Sequence, residues 1–147
     1  MPDESTATVF YDHSCGFCTW MLAWALRWDR GRRLRPAPIQ GPEGEERLRS
    51  VPPGARLASW HLVDEQGRVH SAGAGLIEVL RLLPGGRPLA ALTGAFPRLA
   101  ERGYAAVAAN RVALSRPIPA AAKQRARTLV ADRQDGPADH AFSSCPI

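Results

Sequence analysis

The start of the chain changes from a strand pattern to a helix pattern. Residues 8–12, TVFYD, are β-branched and aromatic and predict a short buried strand. From Cys15, apolar residues recur at helical spacing: Phe17, Met21, Trp24 and Trp28. We expect this helix to run to about Arg30 and to stop at Gly31. We interpret its tryptophans as core residues: Trp20, Trp24 and Trp28.

The middle of the chain predicts a second strand, a short helix and a hairpin. Residues 33–40, RLRPAPIQ, fit a strand whose two prolines place it at a sheet edge or make it irregular. Residues 41–50 place a proline and acids before two arginines, the order that a short helix prefers. Residues 56–71 alternate apolar and polar side chains and contain the turn DEQG, which predicts a β-hairpin.

The remaining chain is mostly helical in its pattern. Apolar residues at 76–83 predict a helix that PGG ends. Residues 88–114 predict one short and one longer helix, and residues 120–136 predict an amphipathic helix. Residues 137–147 lack any period and are expected to form a loose tail.

The order of these elements predicts an α/β fold. A strand, a helix and a parallel strand form a right-handed crossover, and an added hairpin completes a small mixed sheet flanked by helices. This is the thioredoxin-like arrangement, here with additional C-terminal helices. We expect a domain over residues 1–115 and an extension over residues 116–147, partly helical and then loose.

Composition and charge argue against some classes of partner. The chain has 147 residues, of which 45% are hydrophobic and 22% charged, and this suits one globular domain. Its net charge is +5, but the positive residues are nearly all arginines and are spread along the chain, so no nucleic-acid partner is predicted. The densest run, RWDRGRRLR at 27–35, is interpreted as a solvated helix end and turn.

The N-terminal segment and the apolar runs bear on location. The segment MPDESTATVF has acids where a secretory signal has basic residues. The longest apolar stretch, residues 17–28, is shorter than the roughly 20 residues of a membrane-spanning helix. We therefore expect a cytoplasmic protein without a membrane span. Because thiols are kept reduced there, a close cysteine pair favours catalysis or metal binding.

Cys15 and Cys18 form a C-x-x-C motif where the first predicted strand meets its helix. This placement is typical of dithiol redox chemistry. A helix N-terminus favours an anion, so we predict Cys15 as the nucleophilic thiolate and Cys18 as the resolving thiol. The predicted partner is a protein or low-molecular-weight thiol or disulfide, and no bound organic cofactor is expected.

Three other interpretations of the motif stay open. Both cysteines could be small buried hydrophobic residues. A zinc site would need further ligands such as His13 and Cys145, with the tail folded back. A binding module could retain the fold without turning over its cysteines. Cys145 itself is most simply interpreted as an exposed or inert thiol near the end of the chain.

Three segments resemble the DCC family of thiol-disulfide oxidoreductases. They are VFYDHSCGFC, WHLVDEQGRVHSAGAGLIEVL and YAAVAANR, and the resemblance covers roughly residues 8–115. It implies a thioredoxin-like fold, and it assigns the aspartate and cysteines that name the family to Asp12, Cys15 and Cys18. This chain has His13 and Ser14 where the family commonly has glycine and a second acid.

The resemblance also suggests supporting residues. The family segment "Y…NR" corresponds to Tyr104, Asn110 and Arg111. Arg111 either reaches the loop of Asp12 as a buried ion pair or faces solvent. Asp12 either accepts backbone N–H groups in that loop or serves as general base or acid for the buried Cys18.

Two further residues, His13 and Pro53, are candidates for a place near the cysteines. His13 either stabilises the thiolate of Cys15 or is simply solvated, and we favour solvation. Proteins of the thioredoxin type usually carry a proline that faces the cysteines, and Pro53 is the nearest candidate. If no proline faces Cys15, substrate binding must differ from the thioredoxin mode.

Overall fold

A computed structural model describes residues 6–134 and contains one four-stranded mixed sheet. The strands are β1 (Ala7–Tyr11), β2 (Leu34–Pro38), β3 (His61–Val63) and β4 (Val69–Ser71). Their order across the sheet is β2-β1-β3-β4. β2 runs parallel to β1, whereas β3 is antiparallel to both β1 and β4. The predicted α/β, thioredoxin-like arrangement is confirmed.

Helices lie between and after the strands. In chain order they are α1 (Gly16–Trp28), α2 (Pro42–Arg47), α3 (Pro53–Arg56), α4 (Ala72–Leu82), α5 (Arg87–Ala95), α6 (Pro97–Ala109), α7 (Arg111–Ser115) and α8 (Ala120–Gln134). Within residues 6–134, no helix is long and apolar enough to cross a membrane.

The core lies on both faces of the central strand β1, whose five residues are all buried. On one face, α1 buries Leu22 and Leu26 together with Ala126 and Val130 of α8. A smaller cluster on the other face consists of Phe10, Ala37, Ile39, Leu48 and Val63. α8 is thus packed into the main core, while the proposed division of the chain at residue 115 stays a prediction.

The prolines of β2 occupy an edge strand, as predicted. Pro36 and Pro38 lie opposite Val9 and Tyr11 of β1, and β2 has no other neighbour in the sheet. An edge position tolerates proline because the N–H that proline lacks is not needed on the open side. Leu34 and Pro36 are buried.

The tryptophans of α1 are largely outside the core, so their predicted placement is wrong for two of them. Trp24 is 55% exposed and Trp28 is 42% exposed, while Trp20 is half-buried against the main core. The face of α1 that meets the sheet and α8 is instead formed by smaller side chains: Thr19, Leu22, Ala23 and Leu26. The apolar pattern of this helix is wider than the surface that its neighbours cover.

The end of α1 also differs from its prediction. The helix ends at Trp28, and the residue in the left-handed region is Arg32, with φ of 52°, rather than Gly31. Asp29 is 1% exposed, so the interpretation of residues 27–35 as solvated is wrong at this position. Its carboxylate accepts hydrogen bonds from the backbone N–H groups of Arg33 and Leu34, at 3.0 and 2.9 Å.

The hairpin is shorter than predicted, and the later helices are more numerous than predicted. Residues 57–60 leave the sheet because the N–H of Trp60 donates to the hydroxyl of Tyr104 at 3.0 Å instead of continuing β3. The short helix α3 precedes them. Residues 88–114 fall within three helices rather than two, with breaks at Phe96, which precedes a proline, and at Asn110. The predicted tail, residues 137–147, lies outside the described residues.

Candidate active site

Cys15 occupies the N-cap position of α1, directly after the loop that follows β1. Its backbone is extended, with φ of −90° and ψ of 108°, and its sulfur accepts a hydrogen bond from the N–H of Cys18 at 3.2 Å. The side chain is partly exposed. A sulfur at this position faces the unpaired N–H groups and the positive end of the helix dipole, both of which favour a thiolate.

Cys18 lies in the first turn of α1 and, like Cys15, is partly buried. Burial raises the pKa of Cys18 to about 12, and its hydrogen bond and charge interaction with Cys15 add to the increase. Both cysteines are free thiols in this structure. The sulfur of Cys15 is therefore partly exposed, whereas the neighbouring thiol of Cys18 stays protonated near neutral pH.

We expect alkylation to distinguish the two thiols. Iodoacetamide at about pH 8 should modify Cys15 before Cys18, because as long as Cys15 is unmodified the Cys18 thiol, whose pKa is about 12, is a thiolate in only about one molecule in ten thousand at that pH. Fragment spectra of the peptide that carries both residues measure each site. Labelling of Cys18 should rise as the pH approaches 12 or when urea unfolds the protein. Equal labelling of both thiols in the folded protein would contradict the burial of Cys18.

Asp12 organises the loop between β1 and Cys15. One carboxylate oxygen accepts hydrogen bonds from the N–H of Ser14 at 3.0 Å, the hydroxyl of Ser14 at 2.8 Å and the amide of Gln40 at 2.6 Å. Partial burial acts to raise the pKa of Asp12, but the hydrogen bonds from Ser14 and Gln40 outweigh it and lower the pKa. The loop-forming interpretation of Asp12 is therefore supported by its contacts, and the carboxylate is ionised.

Arg111 does reach the loop of Asp12. Its guanidinium lies 3.9 Å from the second carboxylate oxygen of Asp12 and donates to the carbonyl of Leu57 at 3.1 Å. The pair is partly exposed, with 32% of the arginine side chain and 14% of the aspartate side chain accessible. Arg111 also acts to lower the pKa of Cys18 by its charge. The predicted contact is made, although it is less buried and looser than expected.

Tyr104 lies on the side of Cys18. Burial raises the pKa of Tyr104 to about 12, even though the hydrogen bond that its hydroxyl accepts from Trp60 acts in the opposite direction. Asn110, the third residue of the family segment, donates its side-chain amide to the carbonyl of Ala106 at 2.7 Å and ends α6. Tyr104 and Arg111 are thus brought to the cysteines, whereas Asn110 shapes the helix that carries Tyr104.

The remaining sequence candidates lie elsewhere. His13 is exposed and borders a depression beside α8 that Cys15 does not line, in line with the favoured solvation. Pro53 begins α3 with a trans peptide bond, and all peptide bonds of residues 6–134 are trans. The segment that faces Cys18 ahead of β3 contains Ser59 and Trp60 instead of a proline. Cys145, which the zinc alternative requires, lies outside the described residues.

Two concave surfaces meet at the cysteine pair. A cleft of about 450 Å³ lies on the side of Cys15, and the polar residues of its lining include Ser14, Arg111, Ser115, Arg116 and Lys123. An apolar cavity of about 360 Å³ lies on the side of Cys18, and its lining includes Met21, Trp60, Leu76 and Tyr104. Asp12, Phe17 and Arg111 border both. A substrate can therefore approach Cys15 from a charged side, while Cys18 is backed by apolar groups.

Sequence reasoning missed Gln40 and Lys123. Gln40 follows β2, which is parallel to β1, and the carboxyl ends of parallel strands meet at one edge of a sheet, so its proximity to Asp12 could have been predicted. Lys123 comes from α8, in the segment predicted as an extension, and no local pattern indicates that it returns to the cysteines.

Comparison with known proteins agrees with this site. The family model for DCC1-like thiol-disulfide oxidoreductases matches residues 9–117, which is most of the chain and includes Asp12, both cysteines, Tyr104 and Arg111. No curated protein and no solved structure was found to match the chain. The family match, the C-x-x-C motif at a helix N-terminus and the mixed sheet agree with one another. The chain belongs to the DCC1-like thiol-disulfide oxidoreductase family.

Proposed function

We propose that this protein exchanges a Cys15–Cys18 dithiol and disulfide with a protein or low-molecular-weight thiol. The observation that carries the proposal is the position of Cys15: a partly exposed sulfur at the N-cap of α1, 3.2 Å from the N–H of Cys18. Membership of the family supports thiol-disulfide oxidoreductase activity in general. The two roles assigned to the cysteines are the finer part of the proposal.

In the first step, the Cys15 thiolate attacks one sulfur of the substrate disulfide. A Cys15–substrate bond forms, the substrate S–S bond breaks, and one substrate thiolate leaves with the electron pair. Cys15 then carries no negative charge. Before this step, the charge of Cys15 and its hydrogen bond with Cys18 both help to raise the pKa of Cys18. Because the mixed disulfide removes both effects, we expect the pKa of Cys18 to fall at this stage.

In the second step, Cys18 loses its proton and attacks the sulfur of Cys15. We assign Asp12 as the group that receives this proton, because it is ionised and lines the same apolar cavity as Cys18. Because its pKa is low, Asp12 does not keep the proton but passes it to the departing substrate thiolate. The second substrate thiolate leaves, and Cys15 and Cys18 end as a disulfide. Arg111 and Tyr104 are assigned supporting positions beside Asp12 and Cys18.

A single-turnover reaction tests the roles of the two cysteines. Every variant carries Cys145→Ser, so that the thiols of the pair are the ones followed, and is mixed as reduced protein with the neutral disulfide bis(2-hydroxyethyl) disulfide. Cys18→Ser should accumulate a mixed disulfide on Cys15, seen as an added mass in the intact protein. Cys15→Ser should react at least about a hundredfold more slowly than the parent, because the accessible thiolate is gone.

The same reaction separates the enzyme from the rival binding module. Exposed apolar side chains on α1, Met21 at 41% and Trp24 at 55%, together with the apolar cavity favour a docking role as the second candidate. A module whose cysteines are not turned over should give no mixed disulfide with the folded Cys18→Ser variant and equal, slow rates for the parent and Cys15→Ser. Either result would remove the proposed exchange.

A further inference from the structure

We propose that the cleft beside Cys15 selects low-molecular-weight disulfides and thiols that carry carboxylates, and that Lys123 and Arg116 are the residues that select them. The inference rests on the proposed function, because it names the substrate class of the same site. The evidence for this substrate class is the set of charged side chains that line the cleft, not the cysteine motif.

The cleft contains more positive than negative side chains. Its charged lining consists of Asp12, Arg111, Arg116 and Lys123, and Asp12 is the one acid among the described residues that border it. Asp12 is already paired with Arg111. Arg116 and Lys123 form no ion pair with any residue that the structure describes, so two positive charges beside the nucleophile are left for a ligand.

Lys123 is placed over the start of α1 by a glycine. A Cβ atom added at Gly16 would lie 3.3 Å from Cδ and 3.6 Å from Cε of Lys123, so the stem of the lysine crosses the backbone of the residue next to Cys15. The absence of a side chain at Gly16 allows this approach. Lys123 is also the single lysine of a chain whose other basic residues are arginines.

The helix that carries Lys123 is held firmly but lies beyond the family match, which ends at residue 117. α8 buries Ala126 and Val130 in the main core, and Arg133 near its end pairs with Asp29 at 2.6 Å. The cation is therefore fixed to the same core as Cys15. Lys123 lies outside the part of the chain that the family model matches, whereas Arg116 lies inside it.

The dimensions of the cleft favour a small molecule. Its volume of about 450 Å³ falls within the range of about 300–1,000 Å³ that is typical of small-molecule sites. Because Cys15, Lys123 and Arg116 line the same cleft, we infer that a compound with a carboxylate two or three bonds from its sulfur contacts Cys15 and one of the two cations together. Charge attraction of this kind raises the association rate and fades with added salt.

The exchange balances without a further reactant. A dianionic disulfide takes two electrons from Cys15 and Cys18 and two protons, one from the Cys18 thiol and one from solvent; its S–S bond breaks, two carboxylate-bearing thiols leave, and the Cys15–Cys18 bond forms. The reverse reaction returns the dithiol. Lys123 and Arg116 change neither charge nor protonation in these steps, so they act on binding and not on the electron balance.

Three disulfides of similar length and different charge test the inference. Reduced protein is mixed at about pH 7 with 3,3′-dithiodipropionate, which is a dianion, with neutral bis(2-hydroxyethyl) disulfide and with cystamine, which is a dication. Each rate is divided by the rate of the same disulfide with 2-mercaptoethanol, which removes its intrinsic reactivity. At low ionic strength we expect the dianion to react about tenfold faster than the neutral compound on this scale, with cystamine slowest.

Reversing the charge of Lys123 should weaken the preference for the dianionic disulfide. Lys123→Glu is expected to lower the ratio of dianion rate to neutral rate about tenfold, and high salt should abolish the preference in the parent. Arg125→Glu is the matched control, since Arg125 is exposed on the same helix and does not line the cleft. It makes the same change in net charge and should leave the ratio as in the parent.

The outcomes separate this inference from the proposed function. Exchange with all three disulfides at similar scaled rates, or an equal effect of Lys123→Glu and Arg125→Glu, would overturn the charge selection while leaving the exchange in place. A preference for an acidic disulfide-containing peptide without one for the small dianion would overturn the assignment to small molecules. Failure to react with any of the three would remove both proposals.

Discussion

Methionine in place of Arg133 is expected to lower the free energy of unfolding by about 3 kcal/mol, near the lower end of the range for breaking a buried ion pair. The guanidinium of Arg133 lies 2.6 Å from the carboxylate of Asp29, whose side chain is fully buried. Removal of the arginine leaves the carboxylate in the core with the N–H groups of Arg33 and Leu34 as its remaining partners. These two donors keep the loss below that of an isolated buried charge.

Urea denaturation followed by circular dichroism measures this change. Arg125→Met is the matched control, because Arg125 is an exposed residue of α8 without an ion pair among the described residues, and it should change stability by less than about 0.5 kcal/mol. A loss for Arg133→Met no larger than that of Arg125→Met would mean that the Asp29–Arg133 pair does not stabilise the packing of α8.

The Asp29–Arg133 pair also marks where sequence reasoning ends. An acid inside a run of arginines has the pattern of a solvated turn, and the local sequence contains nothing that distinguishes it from one. Its burial depends on a partner 104 positions away and on two backbone N–H groups that the turn after α1 presents. Local pattern predicts the end of a helix to within a few residues, but it does not predict which charge the tertiary structure covers.

Strands and helices that depend on residues close together in the sequence could be predicted. The aromatic and β-branched residues of β1, the prolines of the edge strand β2 and the helix after Cys15 follow from neighbours along the chain. The hairpin was predicted too long because the N–H of Trp60 is taken by Tyr104, which comes 44 positions later. Tertiary hydrogen bonds such as this one set the length of a strand.

Some residues of the candidate site could likewise be predicted from the sequence, and others only from the fold. Cys15 and Cys18 lie within one turn of one helix, so the motif alone indicates their geometry. Arg111 was indicated by resemblance, and its contact with Asp12 spans 99 residues. Lys123 was indicated by neither, because its role depends on how α8 packs against α1. The sequence alone indicates the redox chemistry proposed for the cysteine pair. The positive side chain proposed to select a substrate, Lys123, could be found only from the fold.

Alanine in place of Gly44 is expected to destabilise the protein by about 2–3 kcal/mol, as overpacking of a buried site does. An added Cβ would lie 2.3 Å from the carbonyl oxygen of Ile39 and 2.8 Å from its carbonyl carbon, so α2 or the end of β2 must move. Gln40, the next residue, donates to Asp12, and the same movement should weaken that contact. Thermal unfolding measures the loss. Gly103→Ala in α6 meets no atom within 4 Å and should instead stabilise the protein by about 0.5–1 kcal/mol; a neutral or stabilising effect of Gly44→Ala would refute the close approach of α2 to Ile39.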